Sequence, residues 1–130
     1  MRKLTVQTRV TEELIDITSL VERAAVEEGA RDGVCLVFSP HTTAGITINE
    51  SADPAVAEDL CEALGRIVPE NVRWKHLEGN SPAHLKASLI GSSVLIGLEE
   101  GKLALGTWQG IFFCEFDGPR TRRVWVAVFR

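Results

Sequence analysis

The side chains best able to do chemistry lie in two polar islands. One is KHLEGNSPAHLK, Lys75 to Lys86, which holds two of the three histidines, His76 and His84, with Glu78, Asn80 and Lys86 among turn-forming residues. The other, SPHTTAGITINESADP, Ser39 to Pro54, holds His41 and then, within twelve positions, Asn49, Glu50 and Asp53. Three imidazoles are a donor set that catalytic zinc uses, with a fourth position left for water. Their spacing matches no compact helical pattern such as HExxH, so the set exists only if the fold brings both islands together. Glu50 and Asp53 are hard oxygen donors of the kind magnesium prefers, and Glu78 adds a third carboxylate. The expectation is one shared pocket with a divalent metal, zinc or magnesium. Its candidate ligands are His41, His76, His84, Glu50, Asp53 and Glu78, and its candidate reacting groups are His41, Glu50, His76 and His84. Each histidine alone also fits a hydrogen-bonded framework role, and Asp53 before Pro54 fits a helix cap completely.

Lys86 and Arg120 could hold phosphate oxygens, the lysine as a point charge and the arginine as a fork, or be solvated surface charges. Asn80 fits either a ligand contact or a turn, and Ser81 a helix cap. In GTWQG, Gly106 to Gly110, glycines flank a tryptophan and an amide. Gln109 could read a ligand's polar edge there, or the segment could be a bulge with Trp108 in the core.

These residues must be positioned by strands and a few helices. Leu4, Val6, Thr8 and Val10 alternate as in a half-buried strand. Ser19 and Glu22 form a possible capping box for a helix through LVERAAVEEGA, stopped at Gly29. Gly33 to Ser39 reads as a strand buried on both faces, and Ala44 to Ile48 as its partner. Asp53 and Pro54 start a helix whose apolar stripe is Val56, Leu60, Leu64 and Ile67, closed by Pro69. Residues 69 to 81 show no periodicity, and a loop of that length is more often functional than idle. A short helix follows from Ser81 to Ile90, with His84 in a first turn whose free amides favour a neutral imidazole or an anion. Strands are expected over Ser92 to Leu98, Leu103 to Trp108, Gln109 to Phe116 and Arg122 to Phe129. In the last, both faces are apolar, which calls for two covers, one of which could be another subunit.

At 130 residues the chain fits one domain able to bury a core. Apolar content of 45% against 25% charged argues for a globular chain without membrane spans. A formal charge of -4 gives no basic field for nucleic acid, although Arg120, Arg122 and Arg123 could grip a single phosphate. Cys35, Cys61 and Cys114 are widely spaced with no CxxC pair, as expected of reduced, mostly buried thiols. The opening MRKLTVQTRV lacks the apolar run of a signal peptide, so the expected location is cytoplasmic.

PHTTAGITINESADP, HLEGN, AHLK, GSS, GTWQGI and DGPR together resemble the YjbQ-like proteins of the UPF0047 group, often labelled secondary thiamine-phosphate synthases. The resemblance spans almost the whole chain. It implies an α+β domain over residues 1–130, a mostly antiparallel β-sandwich with two or three flanking helices, assembled as a homotrimer. It places His41, Asn49, Glu50, Asp53, His76, Glu78, His84, Lys86, Gln109 and Arg120 at the family's motif polar positions. The implied reaction joins hydroxymethylpyrimidine diphosphate to thiazole phosphate and expels pyrophosphate, so a small phosphorylated molecule is the expected partner. On that reading Lys86 and Arg120 hold phosphate, and Asn80 or Gln109 orients the ring, with Asn49 beside them. The alternatives are a metal-dependent hydrolase of a small molecule and a non-catalytic ligand-binding or assembly protein.

Overall fold

Apolar residues at period two build eight strands, and these divide into two antiparallel sheets. A computed structural model describes residues 1–130. The strands are β1 (Arg2–Gln7), β2 (Glu13–Asp16), β3 (Gly33–Phe38), β4 (Ala44–Glu50), β5 (Ser93–Glu99), β6 (Lys102–Leu103), β7 (Gln109–Glu115) and β8 (Thr121–Phe129). The helices are α1 (Thr18–Glu27), α2 (Pro54–Ile67) and α3 (Ser81–Ile90). One sheet has the order β1-β8-β3-β5-β6 and the other β2-β7-β4. This is the expected α+β single domain, a sandwich with three helices.

The main core lies between the sheets. Cys35, Val37, Val124 and Val126 from the five-stranded sheet meet Ala44, Ile46, Ile111 and Phe113 from the other, and α1 closes the layer with Val21, Ala24 and Ala25. β7 is covered on both sides, because its alternate residues Phe112 and Cys114 pack under α2 and α3 with Leu64, Ala83 and Ala87. Burying those alternating faces is what pairs strand period with helix stripe. The five-stranded sheet is covered on one side only. Its outer face carries Val34, Leu95 and Phe129, exposed at 41%, 65% and 58%. β3 is therefore not buried on both faces, contrary to the expectation from its unbroken apolar run.

β4 does not pair with β3 as expected: it pairs with β7 in the three-stranded sheet, while β3 pairs with β5 and β8. Two further local expectations fail, and one strand goes unread, for identifiable reasons. The capping box at α1 does not form: Asp16 Oδ1 accepts from the Thr18 amide at 2.9 Å, and Glu22 Oε1 accepts from the Leu103 amide at 3.2 Å. β2 escapes a reading by pattern because it is only four residues long, ELID, with a single apolar pair. The strand expected over Leu103 to Trp108 stops after Leu103, and Trp108 lies in a turn, 63% exposed. At α2 the expectation holds, since Asp53 Oδ1 accepts from the Ala55 amide at 2.9 Å with Pro54 in the first turn.

α3 is fixed against β4 by a close backbone approach. Gly91, at φ +95, ends the helix, and its carbonyl accepts from the Ile46 amide at 3.0 Å. A Cβ on Gly45 would stand 2.6 Å from that carbonyl oxygen. Glycine at 45 thus lets the helix carrying His84 lie directly on the strand. No helix is long and apolar enough to cross a membrane.

Candidate functional site

The irregular segment between α2 and α3 folds back over the start of α3 and brings the two histidines of its island together. The imidazoles of His76 and His84 meet edge to face, with ring centroids 5.2 Å apart. His76 Nε2 lies 3.7 Å from Glu78 Oε2, with the glutamate mostly in solvent and the imidazole partly so. His84 also faces the other way. It shares with His41 a hollow of about 430 Å³ under the loop between β3 and β4, while His76 and His84 line a smaller one with Trp74 and Ser81. A third, of about 480 Å³, is lined by His76, Trp74, Asn80, Glu12, Phe116 and Asp117, among others. Shared lining residues make the three hollows adjoin, with His84 between His41 and His76.

His41 is held in one state. Its Nε2 accepts from the Arg123 amide of β8 at 2.9 Å, and its ring stands edge-on to Phe113. Burial, and then the neighbouring Arg122 guanidinium, push its pKa below the usual imidazole value, against the pull of Glu115. It is a neutral acceptor rather than a free ligand.

Behind it lies a polar network that the sequence reading missed. Arg122 Nε donates to Glu115 Oε1 at 2.8 Å, and its Nη2 donates to Glu115 Oε2 and to Thr43 Oγ1. Thr8 Oγ1 donates to Glu115 Oε1 at 2.7 Å, and the Phe116 and Asp117 amides donate to Oε2. Burial pushes the Glu115 pKa up, yet hydrogen bonds from Arg122, Thr8 and Asp117, together with the guanidinium charge, hold it below the usual carboxylate range. Arg122 is only 5% exposed, so the expected phosphate grip by Arg120, Arg122 and Arg123 does not form. The signal was present: Glu115 interrupts the apolar run IFFCEF, and a charge at a core-facing strand position requires a partner.

Lys86 is also buried, and its Nζ donates to Glu12 Oε1 at 2.5 Å. It anchors α3 to the segment before β2. Arg120 donates to the carbonyl and to Oδ2 of Asp117, at 2.8 and 3.1 Å, and Asn80 Nδ2 donates to the same Oδ2 at 3.0 Å. Asn80 and Asp117 line the 480 Å³ cleft, and Arg120 holds Asp117. The first turn of α3 is a poorer anion site than expected. Pro82 has no amide hydrogen, and the Ala83 and His84 amides both donate to the Asn80 carbonyl.

The remaining candidates lie elsewhere. Glu50 pairs in register with Gln109, and Asn49 with Gly110, at the end of β4 away from His41. Six residue steps of strand separate Ala44 from Glu50, about 20 Å. Gln109 Oε1 turns back to accept from the Gly106 amide at 2.7 Å, and Asn49 Oδ1 accepts from the Glu50 amide at 2.7 Å. Asp53 caps α2. The two islands therefore converge through His41, His76 and His84, whereas Asn49, Glu50, Asp53 and Gln109 form a separate edge.

Zinc or magnesium does not fit the expected ligand set within one chain. No three His, Cys, Asp or Glu side chains come together around one point, His41 already uses Nε2, and β4 holds Glu50 and Asp53 apart from the imidazoles. The cysteines supply no alternative: all three are free, and burial pushes Cys35 up to about 11 and Cys114 up to about 12.

Comparison with known proteins agrees with this fold along the whole chain. The family described as UPF0047 protein YjbQ-like matches residues 2–130. The UPF0047 protein MJ1081 of Methanocaldococcus jannaschii is 51% identical over 126 residues, covering 97% of this chain and 91% of the relative. YugU of Bacillus subtilis is 48% identical, covering 98% of each. A crystal structure of a yjbq/upf0047 family protein from Clostridium acetobutylicum superposes with a TM-score of 0.96 at 53% identity, covering 99% of this chain and 100% of the other. A second, the conserved hypothetical protein TT1486 from Thermus thermophilus, gives 0.93 at 45% identity, with the same coverage. With its motifs, its sandwich and its full length all matched, the chain belongs to the UPF0047, YjbQ-like family.

Proposed function

We propose that the protein is a small-molecule transferase of the thiamine-phosphate synthase type, working in the groove that runs from His41 past His84 and His76 to Asp117. The observation that carries this reading is the edge-to-face contact of His76 and His84, 5.2 Å between centroids, at the junction of three hollows. Two imidazoles side by side at these hollows are suited to hydrogen bonding and proton transfer. In the reaction, the thiazole nitrogen forms a bond to the pyrimidine methylene carbon. The carbon–oxygen bond breaks, and its electron pair leaves with pyrophosphate. His76, His84 and the Arg120 guanidinium are the chain's groups available to meet that charge at the rim. Lys86 is reserved for Glu12 and supports α3 instead.

The working unit in this reading is a cytoplasmic homotrimer, with the apolar outer face of the five-stranded sheet as the surface that another copy covers. Supporting it is the run of exposed Val34, Leu95 and Phe129 on one face.

The test is turnover of the two phosphorylated precursors by purified protein, compared with His84→Ala and His76→Ala. Loss of about 100-fold or more with unchanged folding is expected. Full turnover in a folded His84→Ala variant ends the reading. A second reading, a non-catalytic ligand-binding or assembly protein, is favoured by the number of candidates tied to their own chain: His41, Lys86, Gln109 and Asp53. It predicts no turnover by the wild type and no rise in melting temperature with pyrophosphate or either precursor.

A further inference from the structure

Three buried side-chain polar atoms have no hydrogen-bond partner. One, Arg2 Nε, is 3.4 Å from Glu28 Oε1 and is accounted for by that ion pair. The other two, Trp74 Nε1 and Asn80 Oδ1, belong to side chains that line the same 480 Å³ cleft. A buried donor and a buried acceptor left open are rare enough in folded chains to call for a partner. Asn80 cannot relieve the situation by turning its amide, because Nδ2 donates to Asp117, which Arg120 holds in turn. The wall of the cleft therefore contains one N–H and one carbonyl oxygen that no group of the chain pairs.

Its charge narrows what fits. Glu12, Glu70 and Asp117 line it, and no lysine or arginine does. Lys86 pairs with Glu12 and Arg120 with Asp117, but Glu70 has no ion pair. Such a site does not attract anions. Its walls include the Trp74 and Phe116 rings and Pro82, which suit a flat ligand.

We infer that this cleft takes a planar nitrogen heteroaromatic, neutral or cationic, whose ring nitrogen accepts from Trp74 Nε1 and whose exocyclic amine donates to Asn80 Oδ1. Any phosphate on the same molecule lies outside the cleft, toward Arg120 and His84. The inference deepens the function proposed above and rests on that reading in taking the cleft as part of the site. It adds two specificity-determining residues: Trp74 and Asn80 would select the ring, while the histidines attend to the transfer.

The test is a titration of ¹⁵N-labelled protein with 2-aminopyrimidine, benzoate and inorganic pyrophosphate. The aminopyrimidine is expected to shift the Trp74 indole N–H and the Asn80 side-chain amide at millimolar concentration, and benzoate to leave both in place. Trp74→Phe keeps the aromatic wall and removes the donor, so its affinity should fall about tenfold with the rest of the spectrum unchanged. If that variant does not fold, the wild-type titration decides alone. No shift at Trp74 and Asn80, shifts confined to Trp108 or Trp125, equal response to benzoate, or full affinity in a folded Trp74→Phe protein would each overturn the inference. Ring binding without turnover of the two precursors would leave the inference standing and remove the proposed reaction. Turnover without ring binding would do the reverse.

Discussion

Arg122 Nε and Glu115 Oε1 meet at 2.8 Å in the layer between the two sheets, where Glu115 is completely buried. Both oxygens of that carboxylate are occupied, by Arg122, Thr8 and two backbone amides. Arg122→Ala removes the counter-charge and leaves a buried carboxylate, a change that costs about 3–5 kcal/mol. Urea unfolding of the variant beside the wild type measures it.

The same carboxylate sets an acid limit. Its pKa is lowered in the folded state, so the stability it contributes is present above the unfolded value, near 4.5, and is lost as pH falls through the lower folded value. The melting temperature should therefore drop as the solution is taken below about 4.5. Glu115→Gln should start lower and show a shallower acid slope, and an unchanged slope would place the titration elsewhere.

His41 acts nearer neutrality. Its folded pKa lies below the unfolded value of 6.5, because burial and Arg122 disfavour the charged ring. Its contribution is present above 6.5 and declines as pH falls toward the folded pKa, since the unfolded chain takes up the proton first. Protonation of Nε2 also cancels the bond from the Arg123 amide. Melting temperatures measured from pH about 7.5 down to about 5 should fall in the wild type and fall less in His41→Asn.

Gly45 and Gly65 make a contrasting pair. An alanine at 45 would press its Cβ to 2.6 Å from the Gly91 carbonyl, so α3 must move, at a cost of about 1–3 kcal/mol. The shift should also weaken the cross-peak between the His76 and His84 rings in a proton NMR spectrum. Gly65 lies within α2 with nothing within 4 Å of the added Cβ, and Gly65→Ala should stabilise by about 0.5–1 kcal/mol. Equal effects at both positions would mean that α3 does not rest on the strand backbone.

Assembly is tested at Leu95, which is 65% exposed on the outer face of the five-stranded sheet. Sedimentation of the wild type should give three times the 14.2 kDa chain mass, and Leu95→Arg should give a single chain. A wild type that sediments as one chain removes the proposed trimer.

The fold is legible wherever residue pattern and burial agree. The alternation in β8 and the cap at Asp53 act locally, and both stand as expected. The outer face of β3 is misread because an unbroken apolar run looks the same whether covered by the same chain or left open. The edge strand β2 is too short to carry a period. For the site, clustering in sequence points correctly to the meeting of His76 and His84. It fails for Glu50, which is near His41 along the chain but a strand's length away in space. Glu12 carries no local mark because the partner that defines it, Lys86, stands 74 residues away, whereas the charge of Glu115 inside IFFCEF marks a buried pair without pointing to Thr8, 107 residues away. Trp74 is likewise silent in the sequence, since the cleft it lines is closed by Glu12 and Phe116 from distant segments.

β8 has two different allegiances. Its inward residues hold the ionic layer and the hydrophobic centre, its outward residues Trp125 and Phe129 lie on the bare apolar surface, and the Arg123 amide supports the His41 ring. One backbone thus joins a surface suited to association with an imidazole facing the groove. A second copy seated on the outside of β8 would therefore lie against the same strand whose Arg123 amide holds the His41 ring.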